Sequence, residues 1–337
     1  MPAVMTHYLF GEKALPAVGD ILGLDMARPD LREAYFVGCQ GPDPLFFKVT
    51  GIRAPSVRAV GTQMHRCRMS AALAALRDSI AYLHGSSRAI GMAFCAGQLA
   101  HYLLDRTAHP LVYAQEYGLC SSPDLADAHH EVHALIESDI DAAMLQLMHH
   151  TTVSTLGPLD ATRMSERARL VAGILVTHMG RRVYGRDVRP VDFGHALSTM
   201  RLCYRLIEPA GSRDAHRMGT IERVFRKHSE LEALAHRIDL GVRTPSMNPD
   251  HAPWMNPFTG ERSCASFPDL FDHAVDEFVT WLPAYASGVG TLETARAITR
   301  GIDYSGRQLD ADEAPAPGRA RRHLRGAGSS GAAASRR

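Results

Sequence analysis

The chain has little lysine and no long apolar run. Of the 37 basic residues in its 337 positions, only three are lysine. No stretch reaches the roughly 18 apolar residues that a membrane-spanning helix needs, because the most apolar one, residues 89–104, contains Gln98 and His101. The 36 acidic residues bring the net charge close to zero, which argues against a dedicated nucleic-acid binder.

The sequence also lacks several familiar signatures. Its six cysteines are widely spaced and form no Cys-x-x-Cys pair. There is no His-Glu-x-x-His motif, no P-loop and no Gly-x-Gly-x-x-Gly motif. The first residues show neither the basic nor the apolar segment of a secretory signal. Together, the cysteine spacing and the missing signal predict reduced thiols and a cytoplasmic protein.

The C-terminal residues differ in composition from the rest. Residues 314–337 hold six Arg and no acidic residue among many Ala, Gly, Ser and Pro. This composition favours a solvated, flexible tail over one that contacts anionic lipid or nucleic acid. We therefore expect one helical domain over residues 1–306, mildly acidic, followed by a disordered basic tail over 307–337.

Apolar residues between positions 68 and 300 recur with a period near 3.6, which predicts an all-α, multi-helix bundle. Pro110 is expected to end one helix, and Ser122-Pro123 to begin the next. Residues 36–62 and 240–265 are rich in Gly and Pro and predict long loops. No helix is assigned before residue 68; the expected helices are 68–84, 88–109, 123–149, 162–182, 190–208, 218–238, 266–284 and 290–301.

Histidine is abundant, with 18 residues, and two groups recur with carboxylates at four-residue spacing. Such a step advances only about 40° around a helix, so each group lies along one face. Imidazole and carboxylate on one rigid face suit a metal ion, whereas a solvated face with Asp–His pairs is the alternative. The first group lies in a strongly apolar helix, where buried polar side chains need partners. The groups are His101, Asp105 and His109, then His129, His133, Glu137 and Asp141.

In their order along the chain, these residues resemble the zinc-dependent phospholipase C family, whose fold is shared with zinc-dependent single-strand nucleases. The metal motifs of this resemblance span residues 7–141, and a tryptophan-proline loop of bacterial members is matched later. Besides the two histidine groups, the matching segments are Thr6-His7-Tyr8-Leu9-Phe10-Gly11, Gly41-Pro42-Asp43-Pro44, Met64-His65 and His251-Ala252-Pro253-Trp254-Met255-Asn256-Pro257.

The resemblance implies two or three zinc ions, and Asp43 would orient or deprotonate the attacking water. By position, the family pattern would place Asp43, His65, His101 and Asp105 on one zinc, His109, His133 and Glu137 on a second, and His7 with a bridging Asp105 on a third.

This sequence departs from the family pattern in three ways that concern ligands, one of which is the long gap between Asp43 and His65. The family completes its third site with an N-terminal tryptophan, which is missing here, and we expect the Pro2 amine to replace it once Met1 is removed. The step from Asp105 to His109 is shorter than usual in the family, so His129 or His130 is an alternative ligand of the second zinc.

The expected activity is a phospholipase C-like hydrolysis of a phospholipid or other phosphodiester by a zinc-activated water. Peripheral contact with a membrane would be compatible with this activity. Phe46, Phe47 and Trp254 are candidates for substrate contact. Two alternatives stay open. The same site could act on nucleotides, although only the tail is basic. The chain could also be a non-catalytic helical protein that holds structural zinc.

Overall fold

A computed structural model describes residues 4–223 and 229–309, and within them the chain forms 13 α-helices, three 3₁₀-helices and one two-stranded hairpin. The all-α class is thereby confirmed. The elements are α1 (Val4–Leu22), α2 (Pro29–Gly38), α3 (Ala54–Arg66), α4 (Met69–Ser79), α5 (Ser86–Leu119), α6 (His129–His149), α7 (Pro158–Ala161), α8 (Glu166–Tyr184), α9 (Pro190–Ile207), α10 (Arg213–Arg223), α11 (Glu230–Ala233), β1 (Trp254–Met255), β2 (Arg262–Ser263), α12 (Phe267–Ser287) and α13 (Thr291–Thr299), with 3₁₀-helices at Asp43–Phe47, Ile80–Tyr82 and Pro245–Met247.

Helix α5 is the centre of the fold. Its 34 residues are mostly buried between Ile90 and Val112, and it packs against α1, α2, α4, α6, α8 and α12. The antiparallel hairpin pairs Trp254 with Ser263 and lies beside α5. Among the described residues, no helix combines the length and apolar character needed to cross a membrane.

Several expected boundaries are wrong. Pro110 does not end a helix, because α5 continues through it to Leu119. Pro110 has no N–H, so the Arg106 carbonyl lacks its helical donor. Gly306 packs tightly against this point of the helix, because a Cβ on Gly306 would lie 2.5 Å from the proline ring. Dense packing around α5 thus outweighs the local effect of proline. Helix α6 begins at His129 rather than after Ser122-Pro123, since residues 122–128 form turns.

The N-terminal third is more helical than expected. Helices α1, α2 and α3 all precede residue 68, and the expected loop over 36–62 holds the end of α2, a 3₁₀-helix and the start of α3. Helix α1 is buried on several sides, with Val4, Leu9 and Ala14 all in the core, so its apolar pattern has no clean helical period. The loop expected over 240–265 is confirmed, apart from its short 3₁₀-helix and hairpin.

The helix expected over 218–238 is only partly confirmed: residues 218–223 belong to α10 and 230–233 form α11, but 234–238 are not helical, and 224–228 lie outside the described residues. The tail expected over 307–337 falls largely outside the described residues, since it includes 310–337. Of that tail, residues 307–309 are described, and they lie against the body. Gln308 forms an isolated bridge with Ile302, and the Leu309 N–H donates to the Gly301 carbonyl at 2.9 Å.

Helices α2 and α5 cross in direct backbone contact through two glycines. A Cβ on Gly97 would lie 2.3 Å from the Tyr35 carbonyl oxygen and 2.6 Å from the Cys39 nitrogen, and one on Gly38 would lie 2.4 Å from the Phe94 carbonyl oxygen. All three of these atoms belong to the backbone, which cannot move aside as a flexible side chain can. This crossing sets the distance between α5 and the chain that follows α2.

We predict that Gly97→Ala lowers the free energy of unfolding by about 1–3 kcal/mol, because the added methyl forces the two backbones apart. Gly118→Ala is the matched control on α5, since a Cβ there meets nothing within 4 Å. It should be neutral or stabilising by up to about 1 kcal/mol. Urea unfolding of both variants measures the difference, and equal stabilities would contradict the backbone contact.

The start of α1 is held by a buried carboxylate of α6. Asp141 accepts hydrogen bonds from the Met5 and Thr6 amides, at 2.9 and 2.7 Å, and from Nε2 of His236 at 2.8 Å. The other ring nitrogen of His236 contacts a Glu208 carboxylate oxygen. Burial lowers the pKa of His236, but hydrogen bonds to Asp141 and Glu208 raise it more, to about 10.

We predict that His236→Gln lowers the free energy of unfolding by about 3–5 kcal/mol at pH 6, because it leaves the buried Asp141 and the partly buried Glu208 without their cation. The pKa of His236 is about 10 when folded and near 6.5 when unfolded, so its contribution is complete below pH 6.5 and is lost as the pH rises towards 10. Urea unfolding at pH 6, 8 and 9.5 measures the gap between wild type and variant. A difference in unfolding free energy that does not change with pH would contradict the conclusion that His236 is protonated in the folded protein.

Candidate metal centre

Side chains that could ligate a metal meet in three adjoining groups. Within each group the ligand atoms lie within 4.8 Å of one another, and each group could hold a metal ion. The members come from α1, the 3₁₀-helix after α2, α3, α5 and α6. The groups are His7, His101 and Asp105; Asp43, His65 and His101; and His109, His133 and Glu137.

The first two groups share His101, which is fully buried. Its Nε2 atom lies 3.2 Å from an Asp105 oxygen and 3.8 Å from an Asp43 oxygen. His65 Nε2 lies 3.1 Å from the other oxygen of Asp43. His7 stacks on the His101 ring, with 4.0 Å between ring centroids, and its Nε2 is 3.0 Å from Asp105.

The third group joins α5 to α6 through Glu137. One oxygen of its carboxylate lies 3.2 Å from His109 Nε2 and 3.3 Å from His133 Nε2. His133 and Glu137 are one helical turn apart on α6, and His109 comes from α5, so the packing of two helices completes the group.

Four of these histidines point the same nitrogen inwards. The Nδ1 atoms donate outwards to oxygen acceptors, so the Nε2 atoms face the carboxylates and can share either a proton or a metal ion with them. Metal-ligating histidines usually have this second hydrogen bond, which fixes the tautomer and the ring orientation. The acceptors are the carbonyls of Gly61 for His65 at 2.9 Å, Cys39 for His101 at 3.0 Å and Tyr304 for His109 at 2.6 Å, and the Glu116 carboxylate for His133 at 2.8 Å.

This arrangement fits a bound cation. His101 Nε2 and Asp43 Oδ1 are buried, yet neither makes a hydrogen bond within the described part of the chain, although ionisable neighbours lie close by. A lone pair facing a carboxylate in a buried site is repulsive unless a proton or a metal ion lies between them. Imidazole nitrogens and carboxylate oxygens together are a donor set typical of zinc and other transition metals.

The histidines keep the buried acids ionised. Burial raises the pKa of Asp105, but His101 and His109 outweigh it and hold that pKa well below its usual range. Burial likewise raises the pKa of Asp43, and His101 and His65 lower it more. The pKa of His109 is lowered by burial but raised further by Asp105 and Glu137, to about 9. These carboxylates are therefore charged at neutral pH, as ligands must be.

Glu116 is a part of the site that the sequence analysis missed. One of its oxygens accepts from His133 Nδ1, and the other lies 2.7 Å from His129 Nδ1. Glu116 follows His109 by seven residues, two turns along the same face of α5. The assumption that Pro110 ends the helix hid this relation. His129 thus contacts Glu116, and it is His109, rather than His129 or His130, that joins His133 and Glu137.

Gly41 leaves the space that the His101 ring occupies. A Cβ on this residue would lie 2.1 Å from the imidazole ring, and its φ of +56° already favours glycine. The Gly41 carbonyl also accepts from Gln98 at 3.0 Å. The Gly41-Pro42-Asp43 segment therefore brings Asp43 next to His101 because its first residue has no side chain.

A cavity of about 370 Å³ opens beside His65, His109 and His133. Phe46, one of the candidates for substrate contact, lines it. Phe47 is buried beside Tyr204 and does not line this cavity. Trp254 lies over a separate cavity of about 550 Å³ on another face of α5. Other residues that line the first cavity are Thr62, Arg66, Tyr113, Glu116, His129, His130 and Ser305.

The grouping differs in one respect from what the family resemblance implies. His101 belongs to two groups, whereas Asp105 is the residue expected to bridge. Asp105 still contacts three histidines, with one oxygen 3.0 Å from His7 and the other 3.2 Å from His101 and 3.8 Å from His109. The expected role of Pro2 lies outside the described residues. Comparison with models of known families, with curated proteins and with solved structures found no match.

We predict that His101→Ala removes more bound metal than any other single ligand substitution, because two of the three groups share this side chain. His195→Ala is the control, since His195 is exposed on α9. Metal per chain is measured by inductively coupled plasma mass spectrometry after loading and desalting, with circular dichroism as a check of folding. Unchanged metal content in the folded His101 variant would refute the assignment.

Proposed function

We propose that this protein is a zinc-dependent hydrolase of phosphodiesters, similar in site and fold type to the phospholipase C family. The observation that carries the proposal is the shared orientation of His65, His101 and His109, whose Nε2 atoms face buried carboxylates while Nδ1 donates to backbone carbonyls. Three adjoining groups of this kind suit two or three zinc ions. Bound zinc acts as a Lewis acid towards phosphoryl oxygens and makes water acidic enough to attack at neutral pH.

Asp43 is the residue we assign to the attacking water. Its carboxylate is buried at one end of the cluster, and its Oδ1 makes no hydrogen bond to a described residue. Because the nearby histidines hold its pKa low, this oxygen is ionised at neutral pH and can orient the water or accept its proton. His65 Nε2 lies 3.1 Å from this same oxygen, so the water and the imidazole would share one side of the carboxylate.

The cavity mouth suits an anionic substrate. Arg66 is exposed there and forms no ion pair within the described ranges, and His130 lies on the same rim. The acidic lining residue Glu116 is buried and already faces His129 and His133. The rim is therefore biased towards positive charge, which favours a phosphate over a cationic group. Phe46 and Tyr113 add aromatic surface for the apolar part of a lipid or for a nucleobase.

We predict that Asp43→Asn lowers kcat for phosphodiester hydrolysis by about 10²–10⁴-fold, because the amide cannot accept a proton. Asp124→Asn, an exposed position, is the control and should keep full activity. The substrates are bis(4-nitrophenyl) phosphate, a phosphatidylcholine emulsion and a single-stranded oligonucleotide, which separate the lipid and nucleotide alternatives.

Metal content of each variant is measured in parallel. Two or three zinc ions per wild-type chain with turnover of any of these substrates support the proposal. One tightly held zinc with no turnover would instead support a structural role for the metal.

A further inference from the structure

Asp141 is the last member of the second histidine–carboxylate group in the sequence, yet it ligates nothing in the three groups. It lies one helical turn beyond Glu137 on α6 and is fully buried. Within the described residues, its hydrogen bonds go to the first turn of α1 and to His236. A side chain on the ligand-bearing face of α6 is thus used to hold another helix.

The contact is made at the residue next to a metal ligand. The two Asp141 oxygens accept from the amides of Met5 and Thr6, and His7 follows directly. A buried helix start has amides without helical partners, and a carboxylate there satisfies them and interacts favourably with the helix dipole. A second contact comes from Gln40, which donates to the Val4 carbonyl at 3.2 Å. The first turn of α1 is therefore fixed from two sides.

His7 depends on that turn for its position. Its ring stacks on His101 and its Nε2 lies 3.0 Å from Asp105, while its Nδ1 has no hydrogen bond within the described residues. Among the described residues it therefore lacks the second hydrogen bond that orients the rings of His65, His101, His109 and His133. Ligand groups need placement within roughly 0.5 Å, so for His7 the backbone must supply it.

We propose that Asp141 is the positioning residue for His7, and that occupancy of the His7–His101–Asp105 group depends on it. The proposal rests on the metal centre put forward above. His236 and Glu208 extend the same chain of contacts, since His236 bonds to Asp141 and is itself held by Glu208. Asp141 on α6 thus links the first turn of α1 to His236, two segments that are distant from α6 in the sequence.

The test uses Asp141→Asn in the full-length protein, with zinc as the only probe. The variant keeps the side-chain volume but loses the charge and one of the two acceptors that face α1. We expect one zinc ion to bind about 10–100-fold more weakly, while the ions of the other two groups keep their affinity. Asp139→Asn is the matched control on α6, because Asp139 bonds to Arg237 at 2.8 Å and should leave all zinc sites unchanged.

A double-variant cycle separates positioning from general stability. His7→Ala should weaken the same zinc ion, and adding Asp141→Asn in that background should weaken it no further, because the ligand it positions is already gone. A folded Asp141→Asn protein that binds every zinc ion like wild type would overturn the inference. So would an equal loss from Asp141→Asn with and without His7.

If Asp141→Asn does not fold, Glu208→Gln takes its place, since it loosens His236 without touching α1. A several-fold loss of affinity for the same ion is then expected, and unchanged affinity would overturn the inference. If wild-type protein itself holds no zinc, the proposed metal centre fails. If wild type binds zinc and these variants do so equally well, only the role of Asp141 fails.

Discussion

Buried charge along α5 is the constraint on which the rest of the structure depends. The helix passes through the core, yet it carries His101, Asp105 and Glu116 below the surface. Such groups are unfavourable in an apolar interior unless they are paired or bind a cation. Neighbouring elements supply these partners, because α1, α3, α6 and the 3₁₀-helix at Asp43–Phe47 each place a candidate ligand beside the same face of α5. The topology around α5 is therefore inseparable from the candidate metal centre.

Close backbone contacts set the precision of this arrangement. Gly97 lets α2 touch α5, and Gly41 leaves room for the ring of His101, so the chain after α2 lies against the helix that bears the ligands. The same segment supplies Asp43 and the Cys39 carbonyl that orients His101. Helix packing and ligand orientation are thus two results of the same contacts, and neither can shift without the other.

Side-chain types and helical spacing allowed much of the site to be predicted. The all-α class followed from the apolar period, and His101, Asp105, His133 and Glu137 were proposed as ligands because four-residue steps place them on one face. Helix α1 could not be predicted this way, since a helix buried on several sides has no polar face to set its period. Helix α3 does bury one face, through Ala54, Val57 and Met64, but the Gly and Pro residues of 36–62 favoured a loop there. Pro110 misled because local rules describe an isolated helix, whereas dense packing holds α5 together on both sides of it.

The outer layer of the site is harder to predict for a more general reason. His65, His101 and His109 are oriented by the carbonyls of Gly61, Cys39 and Tyr304, and every residue has a carbonyl, so composition carries no sign of this role. Glu116 is different, because it is a side chain at helical spacing from His109. Once α5 is continued past Pro110, Glu116 falls on the ligand-bearing face. A proline after a histidine–carboxylate group therefore does not mark the end of a site along a helix.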